Sequence, residues 1–149
     1  DVNGKVVEAI EAGLLVFIGI EKNDTDELLL QMAQKLVHLR IFSDSNDKMN
    51  LSVKDIGGKI LLVSQFTLCA DTKKGNRPSF INAKSPAEAE RMYLQLKSEI
   101  EKLGIAVSTG EFGAMMQVYL VNEGPVTIIL ELQPSADQQR NAFEKDSTV

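Results

Sequence analysis

Residues 13–20, GLLVFIGI, form a short and nearly continuous apolar run, the pattern of a strand buried on both faces. Residues 59–68, KILLVSQFTL, repeat that pattern after Lys59, with further polar residues entering from Ser64 on. Between them, NDTDELLLQMAQKLVHLR sets Leu29, Met32, Ala33, Leu36 and Val37 at helical spacing, with Asp24 and Glu27 in a capping arrangement. A second helix is clearer still in SPAEAERMYLQLKSEIEKLG. Ser85 is its expected cap, Pro86 its first helical position, Glu88 the closing partner of a capping box and Gly104 its stop. The apolar stripe is Ala89, Met92, Tyr93, Leu96, Ile100 and Leu103. At the start, Asn3-Gly4 before Val6, Val7 and Ile10 predicts a turn leading into a strand. The stretch RIFSDSNDKMNLSV reads as loop, with a turn at Asp44–Asp47. Three strands are expected after the second helix, near 105–109, 115–122 and 126–132.

This order gives an α/β single domain with a mixed sheet, two strand-helix units followed by three closing strands. The strand-helix units imply parallel pairing, and the closing run implies antiparallel pairing. The domain spans 1–132, without repeats or an internal linker. Residues 133–149, QPSADQQRNAFEKDSTV, read as a polar, mobile C-terminal tail.

Composition narrows the class. A chain of 149 residues with 44% hydrophobic and 25% charged residues suits one globular domain with a sizeable core. No apolar run is long enough to span a bilayer, and no signal-peptide pattern opens the chain, so no membrane role is expected. The chain starts without Met, at what reads as the interior of a strand or hairpin. Cys69 is the only cysteine, which excludes an internal disulfide and points to a reducing cytoplasm. One His and one Cys do not make a Cys/His zinc cage, and neither a metal nor a cofactor is expected.

The formal net charge of −5 argues against a broad, non-specific grip on nucleic acid. A local patch remains open to it. In DTKKGNRPSF, Lys73, Lys74 and Arg77 cluster in one Gly/Pro-containing loop, readable either as a tRNA-binding patch or as a solvated loop.

Catalytic side chains are scarce. His38 would have to serve any Ser-His or Cys-His pair, yet it sits at a helix end between Val37 and Leu39. Cys69 follows a buried strand and reads as a small core residue. There is no phosphate-binding glycine loop. What stands out is Ser64, Gln65 and Thr67 at the C-terminal end of an apolar strand, where α/β sheets bind ligands. A second oddity is LVNEGPVTIILEL, residues 120–132, where Gly124-Pro125 interrupts two apolar strands beside Asn122 and Thr127. Pro cannot donate to a ladder, and a plain hairpin would use Asn-Gly or Asp-Gly.

Taken together, SQFTL at 64–68 and NEGPVT at 122–127 resemble the two signature motifs of the D-aminoacyl-tRNA deacylases, first named D-tyrosyl-tRNA deacylases. The similarity runs from about residue 1 to 132 and includes LRIFSD, MNLSV, KGNRPSF and FGAMMQV. The family's first strand, which typically ends in a Gln-Arg-Val step, is missing, and the tail resembles nothing in the family core. The resemblance implies a homodimer with each active site at the subunit interface. Ser64, Gln65, Phe66 and Thr67 would line the pocket for the terminal adenosine and ester, with Phe112, Asn122 and Thr127 as further pocket residues. Gly124-Pro125 would take a cis peptide bond and reach into the partner's pocket, rejecting L-amino acids there.

The implied reaction is hydrolysis of D-aminoacyl-tRNA, that is, chiral proofreading in translation, with glycyl-tRNA as an achiral accidental substrate. It would proceed by substrate assistance from the ribose 2′-hydroxyl and main-chain oxyanion stabilisation around Phe66 and Thr67. A rival makes Thr67 or Thr127 a nucleophile, although an internal Thr lacks the free amine that activates N-terminal threonines. Two readings from other classes are a tRNA-binding module without turnover and a dimeric interaction domain that pairs through its closing strands.

Overall fold

A computed structural model describes residues 1–134. Its elements in chain order are β1 (Gly13–Ile18), α1 (Asp26–His38), β2 (Phe42–Ser43), β3 (Met49–Leu51), β4 (Lys59–Ser64), a 3-10 turn (Phe66–Cys69), α2 (Pro86–Lys102) and β5 (Val107–Thr109). The expected mixed α/β domain is present. β1, β4 and β5 make a three-stranded sheet in the order β1-β4-β5, and both pairings are parallel. β2 and β3 form a separate antiparallel pair. Its turn is held by Asp44, whose carboxylate accepts the N–H groups of Asn46 and Lys48 and the Asn50 amide. Those bonds hold the Asp44 carboxyl below the usual carboxylate range.

The core lies between the sheet and the two helices, which pack against each other. Ile60 and Leu62 of β4 join Ala33, Leu36 and Val37 of α1 and Met92, Leu96 and Ile100 of α2 in one buried cluster. Each of these side chains except the small Ala33 contributes about 1.5–3 kcal/mol by leaving water. Tyr93 is buried with them, and its hydroxyl donates to the Leu62 carbonyl at 2.6 Å, tying α2 to the central strand. The same carbonyl accepts Gly110 N–H at 3.2 Å. Burial pushes the Tyr93 phenol up to about 12.

Several local expectations need correction. β1 is an edge strand, half-buried rather than covered on both faces, and Phe17 is 40% exposed. Neither helix has a side-chain cap: Ser85 makes no cap bond and Glu88 turns instead to Arg91. Asp24 accepts Glu21 N–H before the start of α1, where Thr25 occupies the cap position. Pro86 and Gly104 stand as expected, Gly104 with a φ of +90°.

Of the closing strands only β5 forms. Residues 115–122 and 126–132 are not assigned to a strand; the first touches the rest through the Val2–Met116 bridge and the Gln117 N–H to Asp1 carbonyl bond. Over 114–119 the side chains keep a two-residue rhythm, Ala114, Met116 and Val118 half-buried against exposed Met115, Gln117 and Tyr119. The pattern is that of a strand, but among the described residues no neighbouring strand supplies the ladder. Asn3-Gly4 makes the expected turn, with φ of +51° and +75° and paired Val2–Lys5 bonds. Residues 6–10 then run on without strand pairing. Apart from Gln133 and Pro134, the expected C-terminal tail lies outside the described residues.

Candidate active site

β4 ends at Ser64, which is in register with Ile18 of β1. The next residue, Gln65, gives its N–H to the Ile18 carbonyl at 2.8 Å, and the chain then winds into the 3-10 turn. Leu68 N–H closes that turn on the Gln65 carbonyl at 3.1 Å. The first N–H groups of such a turn, here those of Phe66 and Thr67, have no partner within it. They stand at the C-terminal edge of a parallel sheet on residues that are both exposed. Gln65 Nε2 donates to Thr67 Oγ1. A carboxamide nitrogen cannot take up a proton, so this partner does not activate the hydroxyl as a nucleophile.

Cys69 closes the turn from beneath. It is buried, and burial, followed by the charges of Glu21 and Asp24, pushes its thiol above the ordinary value. That is the setting of an inert core cysteine. His38 is elsewhere: its Nδ1 lies 2.9 Å from the Gln34 carbonyl, in a groove along α1 with Lys35, Arg40 and Leu132. Among the described residues, no three His, Cys, Asp or Glu side chains converge as a metal site requires.

The basic loop is joined to this turn by an aromatic contact. Asp71 and Ser79 exchange both backbone hydrogen bonds at 2.8 and 2.9 Å, closing residues 72–78 into a loop, and Asp71 Oδ1 accepts Lys73 N–H. Lys73, Lys74 and Arg77 are exposed on it and make no ion pair among the described residues. Just past the closure, the Phe80 ring meets Phe66 edge-on with centroids 5.0 Å apart. Phe80 was not singled out from the sequence, although it ends the KGNRPSF stretch.

The second motif is closed on itself. Asn122 Nδ2 donates to Thr127 Oγ1 at 3.0 Å, and Asn122 Oδ1 accepts Val126 N–H at 3.2 Å. The two small polar side chains therefore clasp the loop that carries Gly124-Pro125, whose peptide bond is cis. Gly124 has a φ of +116°, and a Cβ there would come within 2.7 Å of Val126 Cγ2. Phe112 is half-buried against the core, its ring 5.8 Å from that of Tyr93. No hydrogen bond or ring contact among the described residues joins Ser64–Thr67 to Asn122–Thr127.

Comparison with known proteins bears on this arrangement. The sequence profile of the D-Tyr-tRNA(Tyr) deacylase family matches residues 1–131, both motifs included. The chain belongs to that family. It is accordingly a hydrolase, as the names of its relatives state. The D-aminoacyl-tRNA deacylase of Halalkalibacterium halodurans is 53% identical over 130 residues, covering 87% of this chain and 89% of the relative. That of Yersinia enterocolitica is 50% identical over 131 residues, covering 88% and 90%. Among solved structures, the c-Myc DNA unwinding element binding protein superposes with a TM-score of 0.85 at 39% identity, covering 90% of this chain and 91% of the other. A probable eukaryotic D-amino acid tRNA deacylase superposes at 0.61, covering 76% and 82%. At 19% identity the latter speaks for the fold alone.

Proposed function

We propose that this protein hydrolyses the ester that joins a D-amino acid to the terminal ribose of tRNA, with Ser64–Thr67 as the reacting segment. Water adds to the ester carbonyl, the bond to the ribose oxygen breaks, and that oxygen leaves with a proton. The observation that carries the reading is the state of the exposed turn at the end of β4. The hydroxyl of the turn, that of Thr67, accepts from an amide, while the Phe66 and Thr67 N–H groups belong to exposed residues and have no partner within the turn. Chemistry at such a site falls to main-chain donors and to the substrate. The N–H groups stabilise the oxyanion, each donor of this type being worth roughly 3–4 kcal/mol. The ribose 2′-hydroxyl assists the attacking water or the leaving oxygen.

The active unit in this reading is a homodimer. Support comes from exposed apolar side chains on the extended segments, among them Val6 at 75%, Met115 at 92%, Val121 at 88% and Ile129 at 83%. A single chain rarely leaves so much apolar surface open, and a second copy would cover it. The separation of the two motifs within one chain fits a site completed by the partner's Gly124-Pro125. There, Asn122 and Thr127 hold the loop and an exposed main-chain step meets the substrate's Cα. Phe112 stands behind the site as a supporting residue. Gly124 offers no Cβ and Pro125 a fixed φ, so a rigid wall against one side of Cα excludes L residues whatever their side chain. Glycine, without a Cβ, passes. The acceptor end of tRNA lies along Lys73, Lys74 and Arg77. The buried, unpaired thiol of Cys69 suits a reducing cytoplasm, and no described helix is long and apolar enough to cross a membrane.

Single-turnover deacylation of D-, L- and glycyl-tRNA tests this reading. Fast loss of the D and glycyl esters with the L ester intact supports it. Equal rates on D and L esters would sink the chiral assignment, and no turnover on any would leave a binding module.

A further inference from the structure

We propose that Gly19 is a positioning residue for the Ser64–Thr67 segment, an inference that rests on the deacylase reading above. Gly19 follows β1 directly and lies under the 3-10 turn. A Cβ built on it comes to 3.0 Å from Cys69 Sγ, 3.0 Å from Leu68 Cβ and 3.3 Å from the Gln65 carbonyl oxygen. Distances of this size are tighter than ordinary van der Waals contact, and two of the three atoms belong to main chain or to a Cβ, which cannot swing aside. Its neighbour Ile18 takes the Gln65 N–H at 2.8 Å, so the end of β1 both holds and floors the turn. The floor is close enough only because residue 19 has no side chain.

The consequence is geometric. A methyl group at position 19 lifts the turn by a few tenths of an ångström while β1, β4 and the helix layer keep their packing. Oxyanion donors tolerate little displacement, since catalytic groups must be held within about 0.5 Å of their productive place. A misplacement of that order costs rate, up to about 100-fold for 1 Å. Gly19 itself touches no substrate. It acts through the atoms of Gln65, Leu68 and Cys69.

The test is Gly19→Ala in the full chain, measured by single-turnover deacylation of D-aminoacyl-tRNA, by KM and by thermal melting. The expected result is a rate loss of about 4- to 10-fold, in proportion to a shift of a few tenths of an ångström, with KM within about twofold of the parent. Gly19→Ala/Cys69→Ala, which removes the Sγ under the new methyl, should recover part of the rate. Cys69→Val presses the same contact from the turn side and should lower the rate likewise, which covers the case in which Gly19→Ala fails to fold. Parent-like rates in both single variants overturn the proposal. So does a fall in rate that only tracks the loss of folded protein, with no recovery in the double variant. A parent protein inactive on D-aminoacyl-tRNA would instead overturn the deacylase reading on which the proposal stands.

Discussion

Lys73, Lys74 and Arg77 allow a quantitative forecast, because their loop is held by groups other than their own side chains. The Asp71–Ser79 bonds and the Asp71–Lys73 main-chain bond close it, and none of the three cations has an ion-pair partner among the described residues. Replacing all three with Gln should therefore leave the fold and the adjacent Phe66–Phe80 contact intact. If each cation meets one phosphate, three fewer counterions are released on binding, and the slope of log affinity against log salt becomes shallower by about 2.1–2.7. From about 50 to about 200 mM salt, that difference amounts to a factor of roughly 20–40 in affinity. Filter binding of tRNA across a salt series, for parent and triple variant, reads the slope directly. Hydrolysis of a minimal D-aminoacyl-adenosine should stay within about twofold, since that substrate has no phosphates to lose. As a charge-matched control, Lys54, Lys97 and Lys102, which bond the Leu103 carbonyl, Glu101 and Glu99, are changed to Gln. Equal weakening in the control would mean that overall charge, not this loop, governs binding, and the reasoning would be refuted.

Other outcomes follow from the same geometry. Thr67→Ala should retain most single-turnover activity, because the hydroxyl is occupied by Gln65; an acyl-enzyme trapped on Thr67 in the parent would reverse that conclusion. Gly124→Ala forces a side chain into a φ of +116° and against Val126, at a local cost of about 1–3 kcal/mol. It should lower the melting temperature by roughly 2–12 °C and reduce D-ester turnover per folded molecule, and a parent-like rate would remove Gly124 from the site. The phenol of Tyr93 titrates at about 12 in the folded protein and near 10 when unfolded. Above pH about 10 the unfolded chain loses a proton that the native state keeps, so stability should fall between about pH 10 and 12. In Tyr93→Phe that slope should flatten in denaturant titrations, while at neutral pH the lost hydrogen bond costs about 0.5–1.5 kcal/mol.

Much of the fold was legible because its elements carry one clear period each. KILLVS read as the buried central strand that it is, GLLVFIGI as a strand, though its second cover is only partial, and the stripe of α1 lacked only Leu28 while that of α2 took in every buried residue. Capping failed as a guide: Glu88 found a better partner in Arg91, and Asp24 in a main-chain amide before the helix. The closing strands illustrate a different limit. Residues 115–122 and 126–132 have the alternation of strands, but alternation fixes which side chains turn inward and says nothing of where the paired backbone comes from. The Ser64–Thr67 segment was visible as polarity at a strand end, and the clasp by Asn122 and Thr127 as two polar residues flanking Gly-Pro. Gly19 and Phe80 were not visible. A close approach by a glycine and a ring contact across 14 residues arise only when the chain is folded, and an isolated Gly or Phe carries no periodic signal.

The claim on which the rest depends is that no side-chain nucleophile acts and that the substrate's own 2′-hydroxyl assists. The most direct measurement is single-turnover hydrolysis of a 3′-linked D-aminoacyl-tRNA whose terminal ribose carries hydrogen at the 2′ position, compared with the unmodified substrate at saturating enzyme. General acid–base assistance of this kind is worth about 10²–10⁴-fold, and a rate loss in that range is predicted with binding unchanged. An undiminished rate on the deoxy substrate would contradict the account and return catalysis to the protein's side chains, Thr67 first among them.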